Sequence, residues 1–243
     1  MEHRHLAAME TTVTPLGWTG RVHVRSGIDP NVTNNNVAEY RDLARHHLVA
    51  EASTTLPDNT LINVVRTNQS GHEVAVAQRT TVNGSVTSKL EREIRPGGVE
   101  MRRYRVDGQD GKEVVFDTTT ALVTSRDSAI ASAVLGAVEA LNRTENGFSA
   151  LYGPHQQAWS RLWARFAVDI ETDVTTMLAL RLHIFHIVQT LGPNMELNDA
   201  GVTARGLHGE GYRGHIFWDE IFILPIITMR LPFVTRSLLQ YRW

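Results

Sequence analysis

The feature that most constrains this chain is a change of hydrophobic period near Ser125. From about Gly20 to Thr124 apolar residues recur at every second position, and after Ser125 they recur at helical spacing. Such a chain folds as a β-rich part followed by an α-rich part, not as an alternating βαβ sheet. In Arg21–Ser26, Val22 and Val24 share one face while Arg21, His23 and Arg25 share the other. His72–Gln78, Arg79–Thr87, Met101–Asp107 and Glu113–Thr124 read the same way. Asn83-Gly84 predicts a type I′ hairpin, whose two central positions both need φ > 0, and Gly108–Gly111 predicts a second hairpin loop. These segments imply an antiparallel β-sandwich, or part of one.

In the second half, Asp127 or Ser128 is predicted to cap an alanine-rich helix ending near Leu141, with Gly147 beyond it. Pro154 suits the first turn of the next helix, along which Trp159, Leu162, Trp163 and Phe166 form one stripe. Trp159 and Trp163 read as a packing ridge. Asp173 is predicted to cap a helix over Val174–Leu191, stopped by Gly192-Pro193. Its apolar residues cover more than one stripe, so it is expected to be buried between other helices. Further helical runs fall near Ile216–Met229 and from Pro232 onward. The expected division is 1–125 as the carboxyl-terminal part of a sandwich, 126–172 as a helical linker, and 173–243 as the opening of an all-α domain. The helices after Val174 are too few to enclose a core, and Thr235–Trp243 reads as a helix in progress, so an internal piece of a longer protein is expected.

Composition excludes several functions. A 42% hydrophobic share supports a core, and a formal charge of -2 gives no pull toward nucleic acid or anionic membrane. The absence of cysteine excludes disulfides, zinc thiolates and cysteine nucleophiles. No stretch approaches the roughly 18 apolar residues of a membrane-spanning helix, and the first residues lack a signal peptide's apolar run. A soluble, cytoplasmic protein without nucleic-acid or membrane partners is expected. His183 and His186 stand three apart on a mostly apolar helix face with no carboxylate beside them, and no metal is expected there.

Chemistry concentrates in Ala204–Phe222, ARGLHGEGYRGHIFWDEIF. Gly206, Gly209, Gly211 and Gly214 are interleaved with His208, Glu210, Tyr212, Arg213 and His215, and Trp218-Asp219 follows. Glycine lets backbone approach a ligand, while the polar residues between supply fixed donors and acceptors. A flat indole can pack on the apolar face of a pyranose, and a carboxylate can accept paired hydroxyl hydrogens. The same residues also suit a glycine-rich loop with Trp218 in the core and Asp219 capping a helix. Nucleotide-type phosphate cradling is excluded by the missing GxxxxGK[ST] spacing. Asp219 and Glu220, pointing about 100° apart on a helix, do not flank one bond, which favours a structural Glu220.

Together these segments resemble glycoside hydrolase family 65, the inverting disaccharide phosphorylases of trehalose, kojibiose and maltose type. The strongest match is GLHGEGYRGHIFWDEIFILP, followed by LPFVTRSLLQYR. His155–Glu171 resembles the family's linker, Arg181–Thr190 its first barrel helix, and Val22–Asn34 part of its sandwich. The resemblance implies a large β-sandwich, linker helices and an (α/α)6 barrel, commonly in a homodimer. It implies phosphorolysis of an α-linked glucose disaccharide to β-glucose 1-phosphate and glucose, with inorganic phosphate as co-substrate and no cofactor. One carboxylic acid would protonate the leaving oxygen while phosphate attacks the anomeric carbon. Trp218 and Asp219 match the pair lining the subsite for the reacting glucose, and Arg213 and His215 match the residues just before it. The general acid and the phosphate-binding serine and histidine residues are expected beyond this motif, so no catalytic residue is expected in the chain itself. Many members place threonine between the motif's Asp and Glu, where this chain reads Trp218-Asp219-Glu220 directly. A hydrolase of the acid trehalase kind and a non-catalytic carbohydrate-binding protein are the alternatives.

Overall fold

The computed structural model describes residues 2–84, 90–128, 130–143, 147–191, 195, 200–204 and 211–240. Contacts group them into two units. The first in space holds residues 5–33 and 46–154, and the second holds residues 2–4, 34–45 and the described part of 155–243. This grouping differs from the expected division at 125 and 172. The boundary falls inside a helix, and a segment from the middle of the β-rich half belongs with the helical unit.

The β-rich unit contains β1 (Leu6–Val13), β2 (Gly20–Ile28), β3 (Leu48–Thr55), β4 (Leu61–Thr67), β5 (Glu73–Val82), β6 (Leu90–Arg95), β7 (Val99–Gly108) and β8 (Val114–Thr124). All pairings are antiparallel. One sheet has the order β1-β8-β5-β4-β3, the other β2-β7-β6. Period-two alternation then sets which side chains meet. Val82 on β5 and Val114 and Phe116 on β8 turn toward the smaller sheet, where they cluster with Tyr104, Val24 and Val106. Ala75, Ala77, Ala121 and Val123 turn the opposite way, onto Ala133, Ala137 and Leu141 of α1 (Ala133–Arg143). Alanine on both sides of that contact lets the helix lie close to the sheet.

A buried ionic cluster closes another part of the sandwich. Glu100 on β7 is 2% exposed and accepts hydrogen bonds from Ser53 Oγ, from Thr55 Oγ1 at 2.8 Å and from Arg102 Nη1 at 3.1 Å. Arg92 Nε reaches it at 2.8 Å. Burial alone pushes the carboxyl up, but the hydrogen bonds from Ser53, Thr55 and Arg92 outweigh it and hold the group down at about 2.

Three local expectations are corrected. His72–Gln78 and Arg79–Thr87, read as two strands, form one strand, β5, that ends at Val82. Asn83 and Gly84 do adopt φ of 47° and 74°, yet β5 and β6 lie in different sheets, so the turn does not join a hairpin. Gly108–Gly111 likewise leads from β7 in one sheet to β8 in the other. Turn chemistry reverses the chain, while the apolar faces choose the partner strand.

The helices show the same contest between local and distant signals. Asp127 does not cap α1, because its carboxylate accepts from Thr124 N at 2.7 Å and Thr124 Oγ1 at 3.1 Å. Ser132 Oγ takes that role, accepting from Leu135 N at 3.3 Å. Pro154 lies inside α2 (Phe148–Phe166), not in its first turn. The helix begins earlier because Asp117, across the fold on β8, accepts from Phe148 N at 2.7 Å.

In the second unit, α3 (Val174–Thr190) starts as predicted, with Asp173 accepting from the N–H groups of Thr175 and Thr176. Gly192-Pro193, its predicted stop, lies outside the described residues. Two more helices follow, α4 (Glu220–Arg230) and α5 (Pro232–Gln240). Leu162, Phe166, Val188, Leu191, Val202, Ile227, Leu231, Val234 and Leu238 form their shared core. Trp159 packs against it and stacks on Phe185 at 5.1 Å. The expectation that α3 is buried between other helices holds on one face only: Val188 is buried, but Val174, Leu178 and Leu182 are exposed.

Candidate functional site

The candidate site is the connection between α3 and α4. Gly206, His208, Gly209 and Glu210 lie outside the described residues, which resume at Gly211. Tyr212, Arg213 and Gly214 then adopt φ of 60°, 54° and 72°, three consecutive left-handed residues. Only the third is glycine, and each of the others costs roughly 1–2 kcal/mol there. His215 N donates to Tyr212 O at 3.0 Å and closes the turn, while Ala204 N donates to His215 O at 3.1 Å.

Trp218 is 67% exposed, with its ring edge-on to Phe222 at 5.5 Å. It is therefore not a core residue, and its indole is open for stacking. Asp219 occupies the position before α4 but makes no capping hydrogen bond. Its carboxylate is half-buried and engages no other described residue. Glu220, next along, is 6% exposed and accepts from Val202 N at 2.8 Å, which ties the connection to the start of α4. The two carboxylates thus differ in environment: one open, one engaged in the protein interior. His215 is exposed near Phe217, their ring centres 6.0 Å apart.

Arg213 is placed differently from the other three candidates. Its Nη1 donates to Ala44 O at 2.9 Å and its Nη2 to Tyr40 O at 3.2 Å. Its guanidinium carbon lies 5.2 Å from the centre of the Tyr40 ring. The structure therefore brings Trp218, Asp219 and His215 to one exposed stretch and directs Arg213 at residues 40–44. Tyr40 and Ala44 carry no sequence signal that joins them to this motif. Among the described residues no group of three or more His, Cys, Asp or Glu is placed to hold a metal ion. No helix among them is long and apolar enough to cross a membrane.

Comparison with known proteins gives the class first. The chain is 36% identical over its whole length to a glycosyl hydrolase of uncharacterized activity from Mycobacterium tuberculosis, covering 18% of that protein. It is 29% identical to a kojibiose phosphorylase from Halothermothrix orenii over 98% of this chain and 31% of that one. It is 33% identical to a trehalose 6-phosphate phosphorylase from Lactococcus lactis over 91% and 28%. A solved structure described as a candidate kojibiose phosphorylase from the human microbiome shares the fold, with a TM-score of 0.59 at 12% identity over 98% of this chain and 30% of that one. The chain thus spans less than a third of the length of each of these proteins.

Residues 1–162 match the N-terminal domain of glycosyl hydrolase family 65, and residues 181–243 match that family's central catalytic domain. The chain belongs to glycosyl hydrolase family 65.

Proposed function

We propose that the protein carrying this chain is an inverting disaccharide phosphorylase and that Trp218 and Asp219 belong to its subsite for the reacting glucose. One observation carries the reading of the site: an exposed indole stands beside a carboxylate that engages no other described residue. A residue kept for helix capping would engage the backbone, as Asp173 does at α3. The phosphorylase names of two relatives support the reaction type.

In this reading the indole packs on the C–H face of glucose and the Asp219 carboxylate accepts hydrogen bonds from its hydroxyls. The residues here bind and orient the sugar. A carboxylic acid elsewhere in the protein protonates the leaving oxygen, and phosphate attacks the anomeric carbon from the opposite face, so that one inversion gives β-glucose 1-phosphate. Phosphate is a co-substrate, and glucose, the disaccharide and phosphate are the proposed partners, in a homodimer.

The test uses the polypeptide encoded by the complete reading frame, incubated with trehalose, kojibiose or maltose, with and without inorganic phosphate. Release of β-glucose 1-phosphate only in the presence of phosphate is expected. Release of free glucose at a rate indifferent to phosphate would replace the reading with a hydrolase.

A further inference from the structure

The left-handed turn ahead of Trp218 is held from far away in the sequence. Residues 34–45 leave the β-rich unit between β2 and β3 and are grouped with the helical unit. Within them a short 3-10 turn, Ala38–Tyr40, presents Tyr40 to the candidate site. Tyr40 engages it three ways. Its hydroxyl accepts from Tyr212 N at 3.1 Å, its carbonyl accepts from Arg213 Nη2, and its ring lies under the guanidinium. Ala44 O accepts from Arg213 Nη1. A run of left-handed non-glycine residues persists only where the surroundings over-determine it, and these contacts fall on the two non-glycine members of the run.

The turn is in turn coupled to the sugar-contact pair. Tyr212 meets Phe217 edge-on, ring centres 5.4 Å apart, and Phe217 immediately precedes Trp218. The carbonyl of Tyr212 takes the N–H of His215, so a change at Tyr212 alters the path of the chain leading into α4.

We propose that Tyr40 and Arg213 form a clamp that fixes the left-handed turn and thereby positions Trp218 and Asp219 for glucose. The proposal rests on the reading of Trp218 and Asp219 as the glucose contact, and it makes Arg213 a positioning residue, not a ligand of the sugar. Without the Tyr40 hydroxyl the Tyr212 N–H loses its acceptor, and the cheapest relaxation returns residues 212 and 213 toward right-handed backbone. That relaxation moves Phe217 and the indole beyond it.

The experiment compares Tyr40→Phe, Arg213→Lys and the double variant in the polypeptide of the complete reading frame. Each is assayed for phosphorolysis of whichever of trehalose, kojibiose or maltose the unmodified protein cleaves, and for thermal unfolding. Tyr40→Phe is expected to raise KM for the disaccharide five- to tenfold while KM for phosphate and Tm stay within error. The double variant is expected to be no more than twofold worse than the poorer single variant, because both changes break one device. An unchanged disaccharide KM overturns the clamp. So does a fall in kcat with both KM values unchanged and a lower Tm, the signature of a smaller folded fraction. Should Tyr40→Phe fail to fold, Arg213→Lys, which keeps the charge but not the forked geometry, carries the same test. If the unmodified protein phosphorolyses none of the three sugars, the proposed function fails separately. Glucose titrations followed by ligand-observed NMR then decide the clamp: weaker binding in Tyr40→Phe supports it and equal binding overturns it.

Discussion

Replacing Glu100 with glutamine tests the energetic account of the sandwich most directly. The carboxylate is 2% exposed and neutralises Arg102, itself 2% exposed, and the more exposed Arg92. Arg102 Nε already lies buried with no hydrogen-bond partner among the described residues, so the positive side of the cluster has little margin. Glutamine preserves the shape, but Ser53 and Thr55 donate to different oxygens of Glu100, so the single amide oxygen keeps only one of these bonds, and the arginines lose their counter-charge. Breaking a buried pair in this way costs about 3–5 kcal/mol. The pH dependence gives an independent estimate. A glutamate lowered from 4.5 to about 2 in the fold contributes about 3 kcal/mol above pH 4.5. Because the folded value is the lower one, that contribution is complete above 4.5 and is lost as pH falls from 4.5 toward 2. Glutamine has no such contribution to lose. The gap between the two proteins should therefore narrow by about 2 kcal/mol between pH 4.5 and pH 3. Hydrogen exchange in urea, read by mass spectrometry on peptides from β2, β6 and β7, measures opening of this sheet alone. A loss under about 1 kcal/mol at pH 7, or a gap that does not narrow in acid, would refute the reasoning.

Two further predictions concern the helical unit. In the complete protein, Asp219→Ala removes charge-assisted hydrogen bonds of about 1.5–3 kcal/mol each, so kcat/KM should fall roughly ten- to a hundredfold at unchanged Tm; wild-type kinetics in this variant would place the sugar elsewhere. The 243-residue chain on its own should self-associate, because Val174, Leu178 and Leu182 on α3 and Ile221, Phe222 and Met229 on α4 are exposed; light scattering showing a monodisperse monomer at micromolar concentration would defeat that expectation.

Much of the fold was legible because it is written in short-range pattern. Strands β2, β7 and β8 and helix α3 with its Asp173 cap follow from periodicity and local hydrogen bonding. What escaped depends on partners distant in sequence. The start of α2 is set by Asp117 on β8, 31 residues away, so Pro154 misleads as a boundary signal. β1 escaped because Leu6–Val13 is largely exposed at the edge of its sheet and carries little alternation. At the candidate site, glycine spacing and the Trp218-Asp219 pair singled out the stretch from sequence, and the open side chains of that pair suit the proposed sugar-binding reading better than core or cap. The role of Arg213 could not be read locally, since its acceptors belong to Tyr40 and Ala44, 173 and 169 residues away.

That separation has a consequence in time. Tyr40 precedes Tyr212 by 172 residues, so at a synthesis rate of about 5–20 residues per second it leaves the ribosome roughly 9–34 s before its partner. β2 can pair with β7, and β3 with β4, long before that, leaving residues 34–45 as an excursion that waits on nascent sheets. The turn before Trp218 is then among the last parts of this chain to be set, and a pause or slow codon between Tyr40 and Tyr212 lengthens the interval in which that excursion is open to proteases and chaperones.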